Sequence, residues 1–118
     1  MTSAPQPEGE AIATVDITTA EGSSAGEWIV TVLGEIDVAT SPRLRSELAS
    51  VMERGAKTIV LDLGAMSFID SSGLGVLVGA LKRLREQQGD EIVIRGLQDS
   101  VRRVFEITGL TELFRIER

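Results

Sequence analysis

The stretch that decides the fold is TIVLDL at residues 58–63, followed closely by SFIDSSGLG at residues 67–75. The first run is apolar and of strand length, which is typical of a central strand buried on both faces. The second opens a helical pattern in which leucines recur on one face from Leu74 to Leu84. A buried strand followed by an amphipathic helix predicts an α/β domain, with a site in the crevice beyond the strand end.

The N-terminal half predicts a hairpin and a first helix. Residues 13–18 alternate between apolar and polar types and residues 28–34 are more apolar, so we expect two antiparallel strands joined by a loop at residues 20–26. A helix should begin with Ser41 as its N-cap and Pro42 at its first position, and should end near Gly55.

The C-terminal half continues the alternation of strands and helices. We expect a helix from about residue 72 to 88, a strand at 91–95, and a helix from 99 to 108 capped by Asp99 or Ser100 and closed by Gly109. A last strand or turn follows at residues 113–116. These elements predict a mixed sheet of four to five strands that starts with an antiparallel hairpin and has helices packed on it.

Length and composition predict one cytoplasmic domain. The chain has 118 residues, 42% of them hydrophobic, which suffices for a single core. Residues 1–10 are polar with two prolines and are predicted to be a flexible tail. The net charge of −6 disfavours binding to nucleic acid or to an anionic membrane. No secretory signal is recognisable, and no apolar run approaches the roughly 20 residues that span a bilayer, so membrane insertion is not expected.

The absence of histidine and cysteine narrows the chemistry. It removes Ser–His triads, imidazole acid–base pairs, His-based zinc sites and thiolate nucleophiles. Asp70 and Ser71 place a carboxylate beside a hydroxyl, but a Ser–Lys dyad would need Lys57 or Lys82, and no spacing brings either to Ser71. The glycines fit neither a dinucleotide fingerprint nor a P-loop. We therefore predict that the chain is not an enzyme and takes no cofactor.

Two other interpretations remain open at this point, one of the segment at residues 67–75 and one of the carboxylates of the chain. In the first, Asp70 and Ser71 only cap a helix, and Gly73 and Gly75 only let that helix lie close to the sheet. In the second, carboxylates bind a hard cation, but they form no recognised loop, and we predict no metal site. The carboxylates concerned are Asp16, Glu35, Asp37, Asp62 and Asp70.

Three segments together resemble one known family. SFIDSSGLG at residues 67–75, GEID at residues 34–37 and FEITGL at residues 105–110 are similar to the anti-sigma factor antagonists, which have the STAS fold. The resemblance covers residues 11–118, which we take as a STAS domain that follows the tail. The DSSGLG element is specific when it follows a strand and a GEID-type segment, and this sequence meets both conditions.

The resemblance implies a function and a set of site residues. In that family the serine after the aspartate is phosphorylated by a partner that is both anti-sigma factor and serine kinase, which makes Ser71 the acceptor and Ser72 the less favoured neighbour. The unphosphorylated form binds the kinase and so releases a sigma factor, and a phosphatase reverses the modification. The implied partner-binding residues are Glu35, Asp37, Asp70, Ser71, Ser72, Gly73 and Leu74.

Two other functions remain open. The chain could be a constitutive STAS adaptor subunit of a transport or lipid-trafficking complex, without any phosphorylation cycle. It could also be an enzyme or small-molecule binder that uses the acidic crevice near Asp70, which the lack of histidine and cysteine disfavours.

Overall fold

The computed structural model describes residues 15–117. The tail predicted at residues 1–10 and the start of the first predicted strand lie outside this range. The strands are β1 (Val15–Glu21), β2 (Glu27–Ile36), β3 (Thr58–Ile69), β4 (Glu91–Arg95) and β5 (Arg115–Glu117). The helices are α1 (Ser41–Glu53), α2 (Ser71–Glu86) and α3 (Asp99–Ile107), followed by a 3-10 turn at Leu110–Glu112.

The five strands form one mixed sheet in the order β1-β2-β3-β4-β5. β1 and β2 pair antiparallel as a hairpin, and the other neighbouring strands pair in parallel. The predicted fold class is therefore confirmed, with its opening hairpin and its central strand β3. Parallel neighbours require crossover connections, and these are the helices α1, α2 and α3.

The core follows the two-residue period of the strands. Ile59 and Leu61 of β3 point to the same side as Ile92 and Ile94 of β4, and all four are buried in one cluster. Apolar side chains of all three helices enter the same cluster, α3 through Phe105 and its neighbours. The helices therefore share a single core with the strands of the sheet.

Some predicted boundaries are wrong. Thr40, not Ser41, precedes the first helical residue of α1, because the turn before the helix holds the Thr40 side chain. Gln98, rather than Asp99 or Ser100, precedes α3, and no side chain caps that helix. Gly109 does close α3 as predicted, with a φ of 78°.

Three strands are longer than their sequence patterns predict: β1, β3, and β2, which covers Glu27–Ile36 rather than residues 28–34. β1 continues to Glu21, which shortens the predicted loop at residues 20–26. β3 extends through Ile69 rather than ending at Leu63, and its pairing with β2 shifts register between Thr31 and Leu33 and again between Gly34 and Glu35. These irregularities interrupt the regular spacing of buried side chains along β3. The hydrophobic pattern of the sequence therefore does not predict that the strand continues beyond residue 63.

Phe105 should be a major source of stability. It is fully buried and its ring lies 6.3 Å from that of Phe114 in an edge-to-face arrangement. We expect Phe105→Ala to lower the free energy of unfolding by about 3–5 kcal/mol, because it leaves a cavity in the core. Urea denaturation measures this change. The exposed Ile107 on the same helix is the matched control, and Ile107→Ala should change stability by less than about 0.5 kcal/mol; equal effects would contradict the assigned core.

Candidate functional site

The site forms where β2 and β3 end side by side. Ile36 pairs with Ile69 at the last position of the ladder, and the backbone N–H of Asp70 donates to the Ile36 carbonyl at 3.1 Å. Parallel strands bring their carboxyl ends to one edge, where polar groups of consecutive connections meet. The GEID segment and the DSSGLG segment, 33 residues apart at Asp37 and Asp70, are adjacent for this reason.

Asp70 caps the N-terminus of α2. One oxygen of its carboxylate, Oδ1, accepts the backbone N–H of Ser72 at 2.9 Å and of Gly73 at 3.3 Å. Its own carbonyl accepts the N–H of Leu74 at 3.0 Å, which starts the helix. Asp70 therefore caps α2 as that interpretation expects, whereas Ser71 is the first residue of the helix and takes no part in the cap.

Ser71 is exposed, and no hydrogen bond within residues 15–117 involves its hydroxyl. Ser72, the next residue, is only partly exposed, and its N–H is held by the cap. Of the two serines, Ser71 is therefore the more exposed to a partner.

A tight turn built by Asp37 lies beside the cap. Asp37 Oδ1 accepts the N–H of Ala39 at 2.9 Å and of Thr40 at 3.0 Å, while the Asp37 N–H donates to Thr40 Oγ1 at 2.9 Å. The Thr40 hydroxyl also lies 2.8 Å from the Glu35 carbonyl oxygen. The Thr40 N–H, then that of Ala39 and the Thr40 hydroxyl, lower the pKa of Asp37 from its ordinary value of 3.8.

Gly73 allows α2 to approach the strand ends. A Cβ at this position would lie 2.6 Å from Ile36 Cγ2 and 2.7 Å from Ile69 Cγ1, both well inside contact distance. Gly75 differs, because a Cβ there would meet nothing within 4 Å. The prediction that both glycines serve close packing is therefore right for Gly73 and wrong for Gly75.

The predicted site residues divide into two layers. Glu35 and Ser71 are exposed, and Asp37, Asp70 and Ser72 are partly exposed, all at the same end of the sheet. Gly73 and Leu74 are buried beneath them. The first group can contact a partner directly, whereas the second supports the surface from below, and the partner-binding role of the whole set stays a prediction.

Other residues of this surface were not predicted. Thr40 is buried and joins the Asp37 turn to the end of β2; the only signal for it is a hydroxyl residue three positions after an aspartate. Three large apolar side chains, Leu33, Val38 and Phe68, are exposed near this end of the sheet. No periodic pattern in the sequence predicts that these three side chains are exposed.

The carboxylates of the site form no ion pair within the described chain. The ion pairs of residues 15–117 link Arg83 with Glu53, Arg95 with Asp62, and Arg115 with Glu91 and Glu117, and none involves the carboxylates of the site. In the same range, no three acidic side chains come together in a way that could hold a metal ion. None of the helices of this part of the chain is long and apolar enough to span a membrane.

Comparison with known proteins gives the family. The family model of the STAS domain matches residues 16–118. The anti-sigma-B factor antagonist of Listeria monocytogenes is 43% identical over 86 residues, which are 73% of this chain and 75% of that protein. The chain belongs to the anti-sigma factor antagonists, a family built on the STAS domain.

Solved structures agree with this assignment. An anti-sigma factor antagonist from Mycobacterium paratuberculosis superposes with a TM-score of 0.70 at 33% identity, over 86% of this chain and 85% of the other. SpoIIAA, a cell fate determinant of Bacillus, has the same fold at 21–23% identity. Its unphosphorylated form gives a TM-score of 0.68, covering 87% of this chain and 88% of that one. Its phosphorylated form gives 0.66, covering 87% and 92%.

Replacing Gly73 or Gly75 by alanine, which adds one methyl group, tests how closely each position is packed. We expect Gly73→Ala to lower the free energy of unfolding by about 1–3 kcal/mol, because its Cβ overlaps Ile36 and Ile69. Gly75→Ala should leave stability unchanged or raise it by up to about 1 kcal/mol, because alanine favours the helix and the added methyl meets open space. Chemical denaturation of both variants checks this, and a loss at Gly75 equal to that at Gly73 would refute the packing described.

The Asp37 turn should contribute stability that depends on pH. Because its pKa is lowered in the folded chain, the unfolded chain takes up the proton first, and the contribution is complete above about pH 5. It should disappear as the pH falls through the lowered pKa. Denaturant unfolding of the wild type and of Asp37→Asn from pH 6 to pH 2.5 measures the difference, which should shrink with falling pH. A difference that is constant over this range would show that the carboxylate charge does not stabilise the turn.

Proposed function

We propose that the chain binds an anti-sigma factor in its unphosphorylated form, thereby freeing a sigma factor, and that phosphorylation of Ser71 ends this binding. The observation that carries the proposal is the position of Ser71. Its hydroxyl is exposed at the first residue of α2, directly after the Asp70 cap and beside the Asp37 turn. The name of the Listeria relative, an anti-sigma-B factor antagonist at 43% identity, supports the same function.

The cap explains why a phosphate would act on binding. A helix N-terminus ordinarily accommodates an anion through its free N–H groups. Here the Asp70 carboxylate already accepts the N–H groups of Ser72 and Gly73. A phosphate on Ser71 would add about −1.5 to −2 charge units beside that carboxylate. The new charge would therefore remain on the surface that the partner must cover.

The neighbouring carboxylates strengthen the effect. Glu35, Asp37 and Asp70 lie at the same end of the sheet, without an ion pair among residues 15–117. A partner that binds this acidic surface must desolvate it, and a phosphate raises the cost of doing so. A loss of about 2.8 kcal/mol in binding corresponds to a hundredfold weaker complex.

The fold should tolerate the modification. Ser71 is exposed and its hydroxyl makes no hydrogen bond within the described residues, so phosphorylation breaks no contact there. The STAS fold of SpoIIAA has been solved in both its unphosphorylated and its phosphorylated form. The switch therefore acts on the partner interface rather than on folding.

The remaining parts of the proposal follow from this cycle. The partner is an anti-sigma factor that is also a serine kinase, and a phosphatase restores Ser71. The chain itself performs no catalysis, acts in the cytoplasm, and takes residues 11–118 as its domain after an N-terminal segment of ten residues. Glu35, Asp37, Asp70, Ser71 and Ser72 form the contact surface, with Gly73 and Leu74 beneath it.

Phosphorylation can be measured directly. The purified chain is incubated with ATP and the anti-sigma kinases of its own genome, and the products are read by intact and peptide mass spectrometry. We expect a single added phosphate on Ser71, absent in Ser71→Ala and retained in the control Ser72→Ala.

Binding is measured on the same proteins by calorimetry. Ser71→Ala should bind the kinase about as well as the wild type, and Ser71→Asp should bind at least about tenfold more weakly. Tight binding by Ser71→Asp would count against the switch. Stable binding to another partner, with no phosphate from any kinase, would instead favour a constitutive adaptor.

A further inference from the structure

A groove between α1 and α2 begins one helical turn beyond Ser71. Its volume is about 370 Å³. Leu48 and Met52 of α1 and Val76 of α2 line it with apolar surface, and Arg45 and Arg83 contribute a guanidinium from each helix. The groove thus combines an apolar floor with positive charge, on a chain whose net charge is −6.

Two glycines of α2 keep this groove open. A Cβ at either Gly75 or Gly79 would meet nothing within 4 Å, so no contact inside the described chain requires glycine at these positions. Glycine within a helix is less stable than alanine, and the packing described offers no compensation. A departure from helix preference that the fold itself does not use is typical of a functional surface.

The glycines also connect the groove to the Ser71 surface. Ser71, Gly75 and Gly79 follow one another at intervals of four residues, which places them along one side of α2, and all three are exposed. Four residues of helix advance by about 6 Å. A partner that covers Ser71 therefore meets the groove by continuing a single turn along the helix.

The charges of the groove indicate what it binds. Arg45 is exposed and forms no ion pair within residues 15–117. Arg83 donates from Nε to the neutral Gln87 Oε1 at 2.9 Å, and its one carboxylate contact in this range is a long one of 3.8 Å with the exposed Glu53. Grooves with an apolar floor between two helices are suited to the apolar face of a third helix. Carboxylates flanking that face would meet the two guanidinium groups.

We propose that an acidic amphipathic helix of the anti-sigma factor docks in the groove between α1 and α2, alongside its contact with Ser71. The inference rests on the proposed function, and it adds a second contact that carries affinity. Gly75 and Gly79 would let the docked helix approach the backbone of α2, while Arg45 and Arg83 would fix its orientation.

The test measures affinity of the anti-sigma factor for groove variants by calorimetry, with melting temperatures recorded in parallel. Gly79→Leu fills the groove at an exposed position, and Gly79→Ala is the smaller change that strengthens the helix. Both should melt no lower than the wild type. We expect Gly79→Leu to bind at least about tenfold more weakly, with Gly79→Ala in between.

A charge reversal provides the second arm. Arg45→Glu should weaken binding at least about tenfold, because it opposes the acidic side chains of the docked helix. Arg103→Glu on α3 is the matched control, since it changes the net charge equally at an exposed position that does not line the groove. It should weaken binding less than about threefold.

The outcomes separate this inference from the proposed function. If Ser71→Asp blocks binding while Gly79→Leu and Arg45→Glu bind as the wild type does, the groove inference is wrong and the proposed function stands. If the groove variants lose a concentration-dependent dimer instead of affinity for the anti-sigma factor, a second copy occupies the groove and the inference also fails. If the wild type binds no anti-sigma factor at all, both are overturned.

Discussion

The hydrogen bond from the Asp70 N–H to the Ile36 carbonyl is the contact on which the site depends. It closes the parallel pairing of β2 with β3 at the position where both strands leave the sheet. From there one chain enters the Asp37 turn and the other enters α2. Without this pairing the acidic turn and the serine would belong to separate loops, each free to move.

Glycine at position 73 makes that arrangement possible. The first turn of α2 rests on Ile36 and Ile69, the last residues of the two strands, at a distance that leaves no room for a side chain. The exposed end of the helix is therefore fixed by the buried core below it, and Ser71 is held in one place before any partner arrives. Preorganisation of this kind spares a binding surface part of the entropy that ordering would otherwise consume.

The sequence predicts the architecture of this chain better than its details. The buried strand at residues 58–63 and the leucine period of α2 predict the fold class, because period and burial are properties of whole segments. The predicted end of β3 and the predicted cap of α1 are wrong, because a register shift and a turn held by Thr40 depend on contacts with other parts of the chain. Such contacts have no local pattern.

The sequence likewise predicts some features of the site and not others. Motif resemblance leads to Ser71, Asp70 and the segment at residues 34–37, and the structure brings these together at one edge. The resemblance does not reveal that Gly75 faces open space, since this follows from the direction in which the helix leaves the sheet. The burial of Leu74 is indicated instead by the leucine period of α2. The groove beyond Gly75 arises only when α1 and α2 lie side by side.

The Asp70 cap has a consequence for how long each form of the protein would last. Because the cap satisfies the helix N-terminus whether or not Ser71 carries a phosphate, both forms should have nearly the same folding stability. Proteases that attack transiently opened chains would then remove both at the same rate. For free chains this leaves no difference in turnover; under the proposed function only the unphosphorylated pool gains protection, from the partner that it binds.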